Sequence, residues 1–229
     1  GFTPAYQTLV PEFERTTGNK VVTAFGPSMG DTPQAIPNRI RRGEPVDVLI
    51  MVGYALGDLI KQGTVVASSR VDLAQSSIGM AVRVGAKKPD ISSVEAFKRA
   101  MLEAKSIAYS DSASGVYVST EMFQRLGIFD QVKSKMKKIP AEPVGAVVAR
   151  GEAEIGFQQI SALQPVPGIE LIGPLPPEVQ KITLFSVGLA AGAKQPAAAK
   201  TLIKFLASPA ALPVIIKTGL ESMPAGERK

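Results

Sequence analysis

The chain contains no cysteine, no histidine and no tryptophan. The first two absences remove every Cys- or His-based nucleophile and every soft metal site. No metal and no cofactor is therefore expected. Lack of thiols fits an oxidising compartment, although many proteins of reducing compartments lack them too. With aromatics at 6% and no tryptophan, there is no stacking platform for a nucleic acid. No aromatic interleaves with the one dense basic cluster, Lys133 to Lys138. That cluster reads as a solvated helix end, where cations favour the C-terminal dipole. Long apolar runs are missing as well. Val187 to Ala193 and Ala210 to Ile216 are the longest, broken by Gly or Pro and far short of the ~18 residues that span a bilayer.

What is present suffices for a sizeable core. The 229 residues are 45% hydrophobic and 20% charged, enough for one domain or two small ones. The formal charge of +6 is dispersed. The chain opens on Gly1-Phe2-Thr3-Pro4 without Met, which is the pattern of a mature exported protein with its signal segment removed; the expected location is the periplasm.

Periodicity predicts a helix over Thr3 to Thr17, with Thr3 as N-cap and Pro4 in its first turn. Tyr6, Leu9, Val10 and Phe13 share one face, and Gly18-Asn19 is the stop. Lys20 to Phe25 reads as a strand and Thr32 to Arg42 as a helix interrupted at Pro37. Val46 to Met51 reads as an apolar strand of the kind buried in a parallel sheet. A helix over Tyr54 to Lys61 stops at Gly63. Ser77 to Val84 is a strand, Ser92 to Ala104 a helix capped by Ser92 or Ser93, and Ser106 to Tyr109 a strand. Helices follow over Ser114 to Leu126 and Pro143 to Arg150. Ala153 to Gln158, Ile169 to Ile172 and Lys181 to Leu189 are strands, and Gln195 to Leu206 and Pro209 to Thr218 closing helices. Such alternation argues for an α/β protein with parallel sheets.

Two loops carry the functional signal. Val21-Val22-Thr23-Ala24-Phe25 empties into Gly26-Pro27-Ser28-Met29-Gly30-Asp31, and Ile107-Ala108-Tyr109 into Ser110-Asp111-Ser112-Ala113-Ser114-Gly115. A strand that ends in small residues at a helix start presents free N–H groups to an anion. Two amides, Gln158 and Gln159, follow a third apolar strand and need partners if buried.

Several segments together carry a family likeness. They are the first helix with Phe13 and Gly18, Arg42-Gly43-Glu44-Pro45-Val46-Asp47-Val48-Leu49-Ile50, Ser114-Gly115-Val116-Tyr117 leading to Leu126-Gly127-Ile128-Phe129-Asp130, and Ala149-Arg150-Gly151-Glu152-Ala153-Glu154-Ile155-Gly156-Phe157. Their order resembles the two-lobed (type II) bacterial periplasmic solute-binding proteins of ABC importers. Within that class the chain is similar to the molybdate-binding branch, which also includes a periplasmic aconitate isomerase. The resemblance implies two lobes, 1–79 with 187–229 and 80–186, each a mostly parallel sheet flanked by helices and joined by two crossover strands. It puts the ligand positions at Gly1 beside Thr3, at Ser28, at Ser112 to Gly115, at Pro143-Val144-Gly145 and at Gln159. One hydroxyl and one phenol of the molybdate set are thus replaced, and Pro143 supplies no N–H. The departures favour a carboxylate over molybdate.

The candidate ligand-binding residues are Thr3, Ser28, Gly30, Tyr54, Ser112, Ser114, Gly115, Val144, Gln158 and Gln159. Arg39, Arg41, Arg83 and Arg150 are candidate counter-charges, each with an exposed, solvated arginine as the competing reading. The leading expectation is a monomeric, non-enzymatic receptor that holds a small anion in an inter-lobe cleft and delivers it to a membrane permease. The alternative is an isomerase of a tricarboxylate on the same scaffold. Its base would come from Asp31, Asp111 or Tyr54, and the sequence singles out none of them.

Overall fold

In a computed structural model, residues 1–140 and 142–223 are described. The chain divides into two compact units, Gly1–Ser76 with Thr183–Lys229, and Ser77–Ile182. Strands are β1 (Val48–Val52), β2 (Val71–Ser76), β3 (Ile78–Arg83), β4 (Ile107–Ser110), β5 (Met136–Ile139), β6 (Ile155–Gln159), β7 (Ile169–Pro174) and β8 (Thr183–Leu189). Helices are α1 (Thr3–Thr17), α2 (Ile36–Arg41), α3 (Gly53–Lys61), α4 (Val94–Glu103), α5 (Ala113–Tyr117), α6 (Phe123–Arg125), α7 (Phe129–Val132), α8 (Val144–Ala149), α9 (Ile160–Leu163), α10 (Pro196–Leu206) and α11 (Leu212–Lys217). No helix among the described residues is long and apolar enough to cross a membrane.

The first unit holds a three-stranded sheet of order β1-β8-β2, antiparallel throughout. Because β8 belongs whole to this sheet, the division of the chain falls before Thr183 and not at 186/187. Helix α1 has the predicted bounds, and its buried face is Ala5, Leu9, Val10 and Phe13. Phe13 packs on Phe205 of α10 with ring centroids 5.6 Å apart. Gly18 closes α1 at φ 73°, with its N–H on Glu14 O. The cap position at the other end is Phe2, so Thr3 is the first helical residue and not the cap. Pro37 lies in the first turn of α2, where the sequence suggested that it interrupts a longer helix.

The strand predicted at 20–25 does not form. A strand needs ladder partners for its backbone groups, and these residues bond to side chains instead. Val21 N–H goes to Glu14 at 2.8 Å, and Phe25 O receives Arg39 at 3.5 Å. Val22 is fully exposed.

The second unit holds a five-stranded sheet of order β5-β4-β6-β3-β7. Parallel pairing is confined to β4 with β5 and β6; β3 runs antiparallel to β6 and β7. The sheets are thus less parallel than the alternation of elements implied, because β1, β3 and β7 meet their neighbours head to tail. Ser93 caps α4 by accepting the Ala96 N–H. On one face Phe157 meets Phe97 and Phe123 edge to face at 6.0 and 6.4 Å. Tyr117 lies in the same core, where burial pushes its phenol up from the ordinary tyrosine range. It stays a neutral donor and bonds Val179 O at 2.8 Å. Of Lys133 to Lys138, only Lys133 sits at a helix end, as the C-cap of α7; the cluster continues differently. It forms a 3-10 turn, Lys133–Lys135, and then the edge strand β5, where exposed lysines discourage pairing with a further strand.

β7 leaves its sheet through Pro174-Leu175-Pro176-Pro177, and proline cannot donate to a ladder. Gln180 fills the gap beside Ile78. Its Oε1 accepts the Ile78 N–H at 2.8 Å and its Nε2 donates to Ile78 O at 3.0 Å. One side-chain amide thus does for a fully buried residue what a neighbouring peptide would. Gln180→Leu is expected to lower unfolding free energy by about 1–3 kcal/mol, the penalty of a stranded buried N–H. Urea denaturation checks this, and an unchanged midpoint would remove the role assigned to Gln180.

Candidate functional site

In the second unit β4 delivers Ser110, Asp111 and Ser112 to the carboxyl edge of the parallel strands, the edge at which open α/β sheets bind ligands. Ser110 Oγ lies 2.7 Å from Ser112 Oγ and 3.1 Å from Ser114 Oγ. Ser110 and Ser114 are buried. Ser112 occupies the N-cap position of α5 with extended dihedrals, yet its hydroxyl does not cap the helix; it turns to Ser110. First-turn N–H groups have no intrahelical acceptor, so those of α5 are left to another partner. Three hydroxyl hydrogens serve two bonds, which leaves one to donate outward.

Gly115 makes this arrangement possible. A Cβ there would sit 1.5 Å from Ser110 O, a separation no side chain tolerates, so only glycine lets α5 start over the end of β4. Asp111 follows Ser110, with its carboxylate 12% exposed and 3.5 Å from Lys138. At the end of β6, Gln158 Oε1 accepts the Val144 N–H at 3.1 Å. The two residues are brought together, but as partners of each other. Gln159 and Ser161 are both buried.

In the first unit, Ser28 Oγ accepts the Val52 N–H at 2.9 Å, across the junction of β1 and α3. With that lone pair engaged, the hydroxyl hydrogen is what Ser28 has to offer. Tyr54 is 56% exposed and directs its hydroxyl at Met29 Sδ, 3.1 Å away. Ser28, Met29, Tyr54, Ile40, Arg41 and Asp58 line a concavity of about 400 Å³ within this unit. Thr3 and Gly30 do not line it. Thr3 is exposed at the start of α1, and Gly30 takes φ 103° in the loop before α2.

The chain matches the model of the bacterial extracellular solute-binding protein family over residues 1–221. It belongs to that family. It is 53% identical to an aconitate isomerase from Pseudomonas sp over 217 residues, 95% of this chain and 83% of the relative. It is 30% identical to the molybdate-binding protein ModA of Azotobacter vinelandii over 163 residues, 70% of this chain and 62% of that one. Among solved structures, the periplasmic molybdate-binding protein of Azotobacter vinelandii superposes with a TM-score of 0.75 at 19% identity, covering 97% of this chain and 96% of that chain. The two-lobed α/β expectation agrees with this fold.

The arginines divide on this family scaffold. Glu142 and Glu152 fill the Arg150 fork, and Arg150 in turn holds both carboxyls below the usual glutamate range. Arg39 pairs with Glu44, and Arg41 donates to Asn38. Arg83 is exposed beside Gly151. The sequence reading passed over Ser110, the hub of the hydroxyl cluster. Its spacing was the available signal, since serines at 110, 112 and 114 straddle a strand end and a helix start.

Gly115→Ala is expected to lose about 1–3 kcal/mol of stability, as overpacking does, and to weaken ligand binding through the displaced serines. Gly192→Ala, with nothing within 4 Å of its Cβ, should stay within about 0.5 kcal/mol. Calorimetric unfolding of both proteins tests this contrast. Equal stabilities would contradict the role given to the Ser110–Gly115 contact.

Proposed function

We propose that this chain is a periplasmic isomerase of aconitate, binding the tricarboxylate through hydroxyl and amide donors. The reading rests on one observation above others, the 53% identity to an aconitate isomerase over 95% of the chain. The donor set is consistent with it. Ser28 and the one hydroxyl hydrogen left over in the Ser110–Ser112–Ser114 cluster supply neutral donors suited to a carboxylate. Among the described residues no group of three or more His, Cys, Asp or Glu side chains could hold a metal ion, and the reaction has no need of one.

Isomerisation of aconitate is a proton shift along three carbons. A base takes a proton from the methylene carbon, the double bond moves toward it, and a proton returns at the former vinyl carbon. Atoms and electrons balance without any co-reactant. Donors on the carboxylate next to the reacting carbon stabilise the charge that builds there. Of Asp31, Asp111 and Tyr54, Asp111 is the best placed to carry the proton. It adjoins the hydroxyl cluster, and most of its carboxylate is out of water, whereas Asp31 is exposed.

The second reading is an ABC-importer receptor that binds the same anion and hands it to a permease; membership of the solute-binding family favours it. Proton NMR of cis-aconitate with the purified protein separates the two. The proposal expects the trans isomer to accumulate, and Asp111→Asn to slow conversion by roughly 100-fold or more, within the range of general-base catalysis. Saturable binding with an unchanged ligand spectrum would leave the carrier and remove the isomerase.

A further inference from the structure

The donors assembled so far are neutral, whereas a tricarboxylate carries several negative charges. In the first unit, one guanidinium stands apart from the other arginines. The Arg70 side chain is 31% exposed, and its Nε donates to Asp72 Oδ1 at 2.9 Å. The same Asp72 oxygen receives the hydroxyl of fully buried Ser186 at 2.5 Å. Nη1 and Nη2 of Arg70 have no hydrogen-bond partner among the described residues.

Steric evidence indicates that this position is built. A Cβ on Gly53 would lie 2.8 Å from Ser186 Oγ and 3.0 Å from Arg70 Nη2, and one on Gly57 would lie 3.6 Å from Nη1. Gly57 is interior to α3, where glycine costs about 0.8–1.0 kcal/mol relative to alanine. The guanidinium therefore lies along the glycine side of α3. Gly53 stands between Val52, whose N–H is bonded to Ser28, and Tyr54.

An arginine–carboxylate pair made for its own strength engages fork to fork. Here one nitrogen meets one oxygen, and that oxygen is shared with Ser186. The arrangement orients the guanidinium along the side of α3 that lacks side chains and leaves Nη1 and Nη2 without an acceptor among the described residues. By contrast, Glu142 and Glu152 engage all three guanidinium nitrogens of Arg150. We infer that Arg70 is a carboxylate-binding residue of the first unit, its Nη pair taking one carboxylate of the ligand while Asp72 and Ser186 hold it in place. The inference rests on the carboxylate reading above and adds the residue that recognises charge.

The test is the concentration dependence of thermal-shift midpoints, which yields affinity, with cis-aconitate, crotonate and molybdate as probes. Arg70→Gln is expected to bind aconitate about 10- to 100-fold more weakly, the weight of a charge-assisted bond. Its response to the monocarboxylate crotonate should change far less, a selectivity that a merely structural role would not produce. Arg70→Lys should recover little, since an ammonium offers no planar fork. Wild-type aconitate affinity in a folded Arg70→Gln overturns the inference; if that variant does not fold, wild-type affinity in Arg70→Lys does so. If the wild-type protein answers molybdate and not aconitate, the aconitate reading fails separately. Loss of the molybdate response in Arg70→Gln would then support an anion role for Arg70, and its retention would overturn that role too.

Discussion

A peptide oxygen, that of Ser110, occupies the space where residue 115 would carry its Cβ. This one close approach lets a helix begin over the end of a strand, and the rest of the second unit's candidate site depends on it. It sets Ser110, Ser112 and Ser114 within hydrogen-bonding distance and turns the cap residue away from its own helix. The core behind it, with Tyr117 tied to Val179 and Phe157 between two phenylalanines, fixes the strand and the helix that make the approach.

The first unit solves a related problem with different chemistry. Ser28 accepts the backbone N–H that links β1 to α3, so its position follows from the sheet and not from a flexible loop. Arg70 and Ser186 lie against Gly53 at the same junction, and both bond Asp72. Each unit by itself thus offers polar groups fixed by its own sheet, hydroxyls at Ser28 and around Ser110 and a guanidinium at Arg70. Similarity to an aconitate isomerase gives that chemistry a specific candidate.

Local signals that agreed with one another were legible in the sequence. Pro4, the apolar face and Gly18 all pointed to one helix, and α1 has those bounds. Signals that needed a distant partner were not. The apolar run at 20–25 looked like a strand but has no ladder to join, and the lysines of β5 looked like a helix end because an edge strand also carries charge. β2 went unnoticed because its register shifts between Asp72 and Ala74, which breaks the alternation of period two. At the site, the serine loop could be read because its residues are contiguous. Arg70 could not, since its partners come from α3, β2 and β8.

The most direct measurement of the central claim is calorimetric titration of the ligand-stripped protein with cis-aconitate and, separately, with molybdate. The account predicts a saturable, one-site isotherm for aconitate and heats of dilution for molybdate. Tight molybdate binding with no response to aconitate would contradict it, and would mean that the serine loops hold an oxoanion after all.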